Sequence, residues 1–293
     1  MKLEEIVYLN GELITGSEAG ISPFSYGFLY GYGIFETMRS YGGTIFRLDR
    51  HLSRLRHAAG TLGIADKLDA FDLTAACHNL LQANDLTDAR VRLTVTGGTG
   101  DIVPNPDTCQ GINVFIASRK LVPRPAESYE RGYKAIISSY RRNSRSPISS
   151  LKSTSYLENL LARQEARAAG ADEVILLNDQ GFVCEGATTN IFLLQGQTLI
   201  TPPAESGLLA GITREVVLEL ADSLGIPKSV QQVELDQLFS ATEAFVTSST
   251  IEIMPLTRPD NKSIGSGKPG PVTQRLMLSY RELVDKETKG GNY

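Results

Sequence analysis

The sequence predicts an α+β chain of two domains rather than a doubly wound sheet. The 293 residues are more than one ordinary core accommodates. Period-two and period-3.6 apolar segments are mixed without regular β-α alternation. A short proline-bracketed connector, Leu121-Val122-Pro123-Arg124-Pro125, interrupts the middle. The expected domains are therefore 1–121 and 126–293.

The first domain opens with a hairpin, Ile6–Leu9 and Leu13-Ile14 around Asn10-Gly11, a pair suited to a type I′ turn. A glycine- and aromatic-rich stretch from Ser22 to Arg39 ends in a strand that turns through Gly42-Gly43 into Thr44-Ile45-Phe46. Asp49 is the expected cap of a helix with Leu52, Leu55, Ala59 and Leu62 on one face, and Phe71 to Leu81 is expected to form another. Arg90 to Thr96 alternates as a strand, which Gly97-Gly98-Thr99-Gly100 should end, and Ile112 to Ala117 is the next.

The second domain is expected to place strands at Tyr133–Ser139, Glu173–Asn178, Asn190–Leu194, Thr198–Thr201 and Ala244–Thr247. Helices are expected at Tyr156–Ala169, Thr213–Leu224 and near the C-terminus, with Tyr156, Leu157, Leu160, Leu161 and Ala168 forming the apolar stripe of the first. The polar tail from Lys286 should fray.

Composition excludes several classes. The chain is 41% hydrophobic and 21% charged, with a net charge of −4, which points to a soluble globular protein and gives no sign of nucleic-acid or membrane partners. No apolar run reaches the ~18 residues that a bilayer span requires. The N-terminus carries Glu4 and Glu5 where a signal peptide carries bases, so the expected location is cytoplasmic. Three scattered cysteines and His51, His57 and His78 show no metal-ligand spacing; buried or half-buried thiols and no metal are expected.

The chemistry concentrates at three places. Lys152 stands just before a helix rather than along its solvated face. Cys184-Glu185-Gly186-Ala187-Thr188-Thr189-Asn190 joins a carboxylate to a small, hydroxyl-rich run. Gly211-Ile212-Thr213-Arg214 opens a helix whose N-terminal amides suit a dianionic phosphate. An amine, a carboxylate and a phosphate-binding helix end are the handles that grip pyridoxal phosphate. Each alone is ordinary: a surface lysine, a loop glutamate, a capped helix. A Schiff-base lysine must lose its proton well below its usual ~10.4, through burial or neighbouring cations, and Arg141, Arg142 and Arg145 lie just upstream. Tyr156 could reach the cofactor's phenolic oxygen, with Asn159 facing the same pocket, and Glu185 could keep the pyridine nitrogen protonated. Ser248-Ser249-Thr250 adds hydroxyls, and Arg54 is the candidate cation for the phosphate.

These motifs resemble the class IV, fold type IV, pyridoxal-phosphate enzymes, the family of branched-chain and D-amino acid aminotransferases and 4-amino-4-deoxychorismate lyase. The resemblance runs over nearly the whole chain: Tyr26-Gly27 through Phe35-Glu36, His51 to Leu55, Lys152 with Asn159, Glu185-Gly186 to Asn190, Gly211 to Arg214, and Ser248 to Pro255. It implies that Lys152 attaches the cofactor, that Glu185 meets the pyridine nitrogen, and that Arg54, Ile212, Thr213 and Ser249 hold the phosphate, beside Gly211, Thr188 and Ser248. It also implies a homodimer of two-domain subunits with the active site between the domains, acting on a small amino substrate. Ser22 to Thr37, Ala89 to Leu93 and Leu151 to Leu157 look most like the lyase branch, and the loop Gly97–Asp101 lacks the bases of the D-amino acid branch. Arg92 matches an arginine of the branched-chain enzymes. Arg39, Arg90 and Arg92, with Tyr30 and Thr250, are the substrate-binding candidates.

Overall fold

The computed structural model describes residues 4–289. The chain divides into two compact units. The first contains β1 (Ile6–Leu9), β2 (Glu12–Thr15), α1 (Tyr26–Tyr30), β3 (Gly33–Tyr41), β4 (Thr44–Ile45), α2 (Leu48–Thr61), α3 (Ala65–Leu68), α4 (Leu73–Ala83), β5 (Ala89–Thr99) and β6 (Gln110–Lys120). Its strands form an antiparallel sheet in the order β2-β1-β6-β5-β3-β4. Alternation sends Ile34, Met38, Val91, Leu93, Val114 and Ile116 to one face, where they pack with Leu55, Ala59, Leu80 and Leu81 of α2 and α4. The register sets Phe35 opposite Thr94, Thr37 opposite Arg92 and Arg39 opposite Arg90, so these six share the other face.

The second unit contains α5 (Ala126–Arg131), β7 (Tyr133–Arg142), α6 (Leu157–Ala168), β8 (Glu173–Asn178), β9 (Val183–Gly186), β10 (Asn190–Gln195), β11 (Thr198–Thr201), α7 (Ile212–Ser223), β12 (Lys228–Val230), α8 (Leu235–Ser240), β13 (Glu243–Ser248), β14 (Glu252–Pro259) and most of α9 (Pro271–Lys289). Its mixed sheet runs β12-β11-β10-β13-β14-β7-β8-β9, with parallel pairs β11/β12, β14/β7 and β7/β8. β8 is buried along its whole length. Ile175 and Leu177 join a core with Ile191, Leu193, Val246 and Met254, while Val174 and Leu176 meet Ala162 and Ala166 of α6.

Several elements differ from the sequence reading for identifiable reasons. α2 is preceded by Arg47 in the left-handed region, at φ 53°, not capped by Asp49, which instead sits in the first turn beside the positive helix end. α4 starts at Leu73, where the Asp72 carboxylate accepts the Ala75 amide. β5 continues through Gly97-Gly98 to Thr99, and at Gly98 β6 passes too close for a side chain. The stripe predicted on α6 is not the buried one. Leu157 and Leu160 are 68% and 59% exposed, while Asn159, Ala162 and Ala166 are buried, since small residues let the helix approach the sheet. The tail expected to fray from Lys286 continues α9 to Lys289, and its remaining residues lie outside the described ones.

Leu151–Ser155, including Lys152, belong to the first unit, as do residues 284–289, whereas the sequence reading put both in the C-terminal domain. For Leu151–Ser155 the cause is backbone pairing. The Phe35 amide donates to the Lys152 carbonyl at 2.8 Å, and the Thr154 amide donates to the Gly33 carbonyl at 2.8 Å. Lys152 is therefore an added edge residue beside β3.

Gly98→Ala tests the close passage of β5 and β6. A Cβ there would lie 2.1 Å from the Gln110 carbonyl oxygen. The substitution should lower the unfolding free energy by about 1–3 kcal/mol in a denaturant titration.

Candidate active site

The chemistry-bearing residues of the first unit surround β3. The ring of Phe35 carries two cations: the Lys152 Nζ lies 4.7 Å from its centroid and the Arg92 guanidinium carbon 3.3 Å. Arg92 Nε also donates to the Thr94 hydroxyl at 3.3 Å. Further along the same face, Arg39 lies over the Tyr41 ring at 4.3 Å, and Arg90 is exposed. Tyr30, at the end of α1, donates its hydroxyl hydrogen to the Ile102 carbonyl.

Alternation turns Glu36 to the opposite face, toward α2. Its carboxylate is 1% exposed. Arg54 grips it through Nε at 2.8 Å and Nη2 at 2.6 Å, and His51 Nδ1 lies 2.7 Å from Oε2. The cation predicted for the phosphate is thus held by a carboxylate that an imidazole also contacts, two groups to which the sequence reading gave no role. The available signal was local: His51 and Arg54, three apart, share one helix face. Burial alone would push Glu36 up, but Arg54 and His51 outweigh it and hold the carboxyl at about 2. Burial also pushes the His51 pKa down, Arg54 and Lys152 push it the same way, and Glu36 opposes them.

In the second unit Glu185 stands on β9, 5% exposed. Its Oε1 accepts from Arg142 Nη2 at 2.6 Å and its Oε2 from the Leu209 amide at 3.1 Å. Arg142 also donates through Nη1 to Glu158 at 2.7 Å. The three arginines upstream of Lys152 have different surroundings. Arg142 bridges two glutamates, Arg141 donates to the Ser138 and Tyr140 carbonyls, and Arg145 is exposed. The Tyr156 hydroxyl and the Asn159 amide converge on the Ala187 carbonyl at 3.3 and 2.7 Å, so the expected common orientation of these two is realised. Thr188 is exposed in the turn between β9 and β10.

Gly211 caps α7, and Ile212 and Thr213 are its first two residues, both buried. A Cβ on Gly211 would lie 2.0 Å from Asn190 Oδ1, and Asn190 Nδ2 donates to the Leu209 carbonyl at 2.8 Å. Asn190 pairs with Thr247 across β10 and β13, which brings the end of β13 and half-buried Ser248, Ser249 and Thr250 toward this helix start. The Thr247 hydroxyl is buried with no hydrogen-bond partner among the described residues.

Residues 33–258 match the family described as amino-transferase class IV. The chain belongs to that family. It is 34% identical to the aminodeoxychorismate lyase of Bacillus subtilis, with 98% of each chain covered. It is 32% identical to the branched-chain-amino-acid aminotransferase of Escherichia coli, over 98% of this chain and 96% of that one. Among solved structures, the Escherichia coli branched-chain aminotransferase superposes with a TM-score of 0.88 at 30% identity, covering 99% and 98% of the two chains. The enzyme from Thermobaculum terrenum in its PLP form gives 0.84 at 28% identity, covering 97% and 95%. The fold is that of the fold type IV enzymes, and the protein is a pyridoxal 5′-phosphate enzyme.

The residues present fit that cofactor. Glu185 is a buried carboxylate, the kind of group that suits a pyridinium. The start of α7 supplies amides beside a glycine that admits no side chain, and the orphaned Thr247 hydroxyl borders the hydroxyl-rich turn. Among the described residues no group of histidine, cysteine and carboxylate side chains could hold a metal, and no helix is long and apolar enough to cross a membrane. Cys77 and Cys184 are buried and Cys109 is half-buried.

Glu36 yields a pH prediction. Its folded pKa of about 2 lies below the ordinary 4.5, so its contribution is complete above the ordinary value and is lost as pH falls toward the folded one. Wild type should exceed Glu36→Gln in unfolding free energy by about 3 kcal/mol near neutrality. Acid titrations followed by circular dichroism should show the gap closing between pH 4.5 and about 2.

Proposed function

We propose that the protein is a 4-amino-4-deoxychorismate lyase, which releases 4-aminobenzoate and pyruvate. The observation that carries this reading is the cationic face beside the lysine: Arg92 and Lys152 over one Phe35 ring, with Arg90 and Arg39 next along the same strands. A dicarboxylate calls for two arginine contacts, and a branched-chain amino acid offers one carboxylate and an apolar side chain. The Bacillus subtilis relative is named for this activity.

In this reading Lys152 would anchor the cofactor, and its amine would take the proton from the amine-bearing carbon of the substrate. Bound pyridoxal phosphate supplies the electron sink. Glu185 would meet its ring nitrogen and Tyr156 its phenolic oxygen, and Arg54, Gly211, Ile212, Thr213, Ser248 and Ser249 would hold the phosphate, with Thr188 a further cofactor-binding candidate. Glu36 and His51 keep the Arg54 guanidinium aimed. Arg39, Arg90, Arg92, Tyr30 and Thr250 orient the substrate. On the strength of the family alone, we place the enzyme in the cytoplasm as a homodimer.

A second reading is transamination of branched-chain substrates, favoured by the names of the Escherichia coli relative and of the solved structures. The D-amino acid variant is less well supported, because the stretch Gly97–Asp101 after Thr96 has no base.

Supplied with aminodeoxychorismate and no keto acid, the purified enzyme should release pyruvate and 4-aminobenzoate in equal amounts over many turnovers. A stall after one turnover that 2-oxoglutarate relieves would replace the lyase with the transaminase. Arg92→Ala should raise KM for aminodeoxychorismate about 10- to 100-fold, as expected for loss of a charge-assisted pair, with the cofactor's absorption spectrum unchanged. Borohydride reduction followed by peptide mapping should fix the cofactor on Lys152; a label on another lysine would move the anchor.

A further inference from the structure

We infer that Glu158 is a positioning residue for the ring-nitrogen contact: it neutralises Arg142, so that Glu185 keeps its full charge for a protonated pyridine. This rests on the role proposed for Glu185 and extends it outward by two residues.

Arg142 is 8% exposed and lies between two carboxylates, Glu185 at 2.6 Å and Glu158 at 2.7 Å. Its Nε is buried with no hydrogen-bond partner among the described residues, so Nη1 and Nη2 make these contacts. Burial works against the protonated guanidinium, but Glu185 first and Glu158 second outweigh it and raise its pKa.

The charge count gives the arrangement its sense. One arginine against one glutamate in a dry site is a neutral pair, and a cationic nitrogen brought to it gains little. One arginine between two glutamates leaves one net negative charge, which matches the single positive charge of a pyridinium. Glu158 sits in the first turn of α6, where the helix end favours an anion. The helix itself is fixed by Ala162 and Ala166 against β8 and by Asn159 on the Ala187 carbonyl. The Ala187 carbonyl follows Glu185 by two residues, so the same helix holds both ends of the charge chain. The Glu158 side chain is 40% exposed, so solvent screens it and its influence is modest.

The test uses holoenzyme loaded with pyridoxal 5′-phosphate labelled with nitrogen-15 in the ring. The nitrogen resonance reports protonation directly. Glu158→Gln should move it toward the deprotonated position and lower turnover about fivefold, the scale of a partly screened charge. Glu158→Asp, which keeps the charge, should restore both. In a Glu185→Gln background, Glu158→Gln should add nothing further, because its effect passes through Glu185. A wild-type resonance in Glu158→Gln, or an independent effect in the double variant, would overturn the inference while leaving Glu185 on the nitrogen. A resonance unmoved by Glu185→Gln itself would remove the Glu185 reading, and the inference with it.

Discussion

A buried carboxylate has to be matched by donors, and this constraint organises the candidate site in each unit. Glu36 is matched by Arg54 and His51, Glu185 by Arg142 and the Leu209 amide. Removing one partner from such a cluster leaves charge stranded in low dielectric, which is far costlier than a lost surface pair. The surrounding elements are therefore fixed in place by the groups they contribute: α2 by the Arg54 and His51 side chains, the chain before α7 by its Leu209 amide. Glu243 follows the same rule away from the site. It accepts the Val272 and Thr273 amides and the Thr273 hydroxyl at the start of α9.

The same constraint gives the side chains their directions. Once Glu36 is turned to α2, period two turns Phe35, Thr37 and Arg39 to the other face, and the antiparallel register adds Arg90, Arg92 and Thr94 to it. A lysine whose backbone pairs with β3 then meets the Phe35 ring, on which Arg92 also lies. Glycine performs the complementary task. At Gly211 and Gly98 the neighbouring atoms occupy the place of a Cβ, so the backbone comes closer than any side chain would allow.

Much of this was legible beforehand. Glu173–Asn178 and Thr198–Thr201 form as predicted, because each is a short, well-bounded apolar run. The opening of α7 after Gly211 was readable from its glycine and the following period. The buried face of α6 was misread because leucines outrank alanines in hydrophobicity, and close approach to a sheet selects for size instead. Asn159 is buried through one hydrogen bond to a carbonyl 28 residues away. The partners of Arg142 are equally remote in sequence, 16 and 43 residues off.

By itself the sequence determined the mixed α+β character, the strand and helix periods, and the presence of an amine, a carboxylate and a glycine-led helix start, since these depend on residue type and local spacing. The tertiary structure decided which groups those residues meet. It assigned Lys152 to the first unit through two backbone hydrogen bonds, paired Arg142 with Glu185 and Glu158, and buried Glu36 under Arg54. The physical reason is the same in each case: burial and pairing are set by residues far apart along the chain, and no local pattern carries their identity.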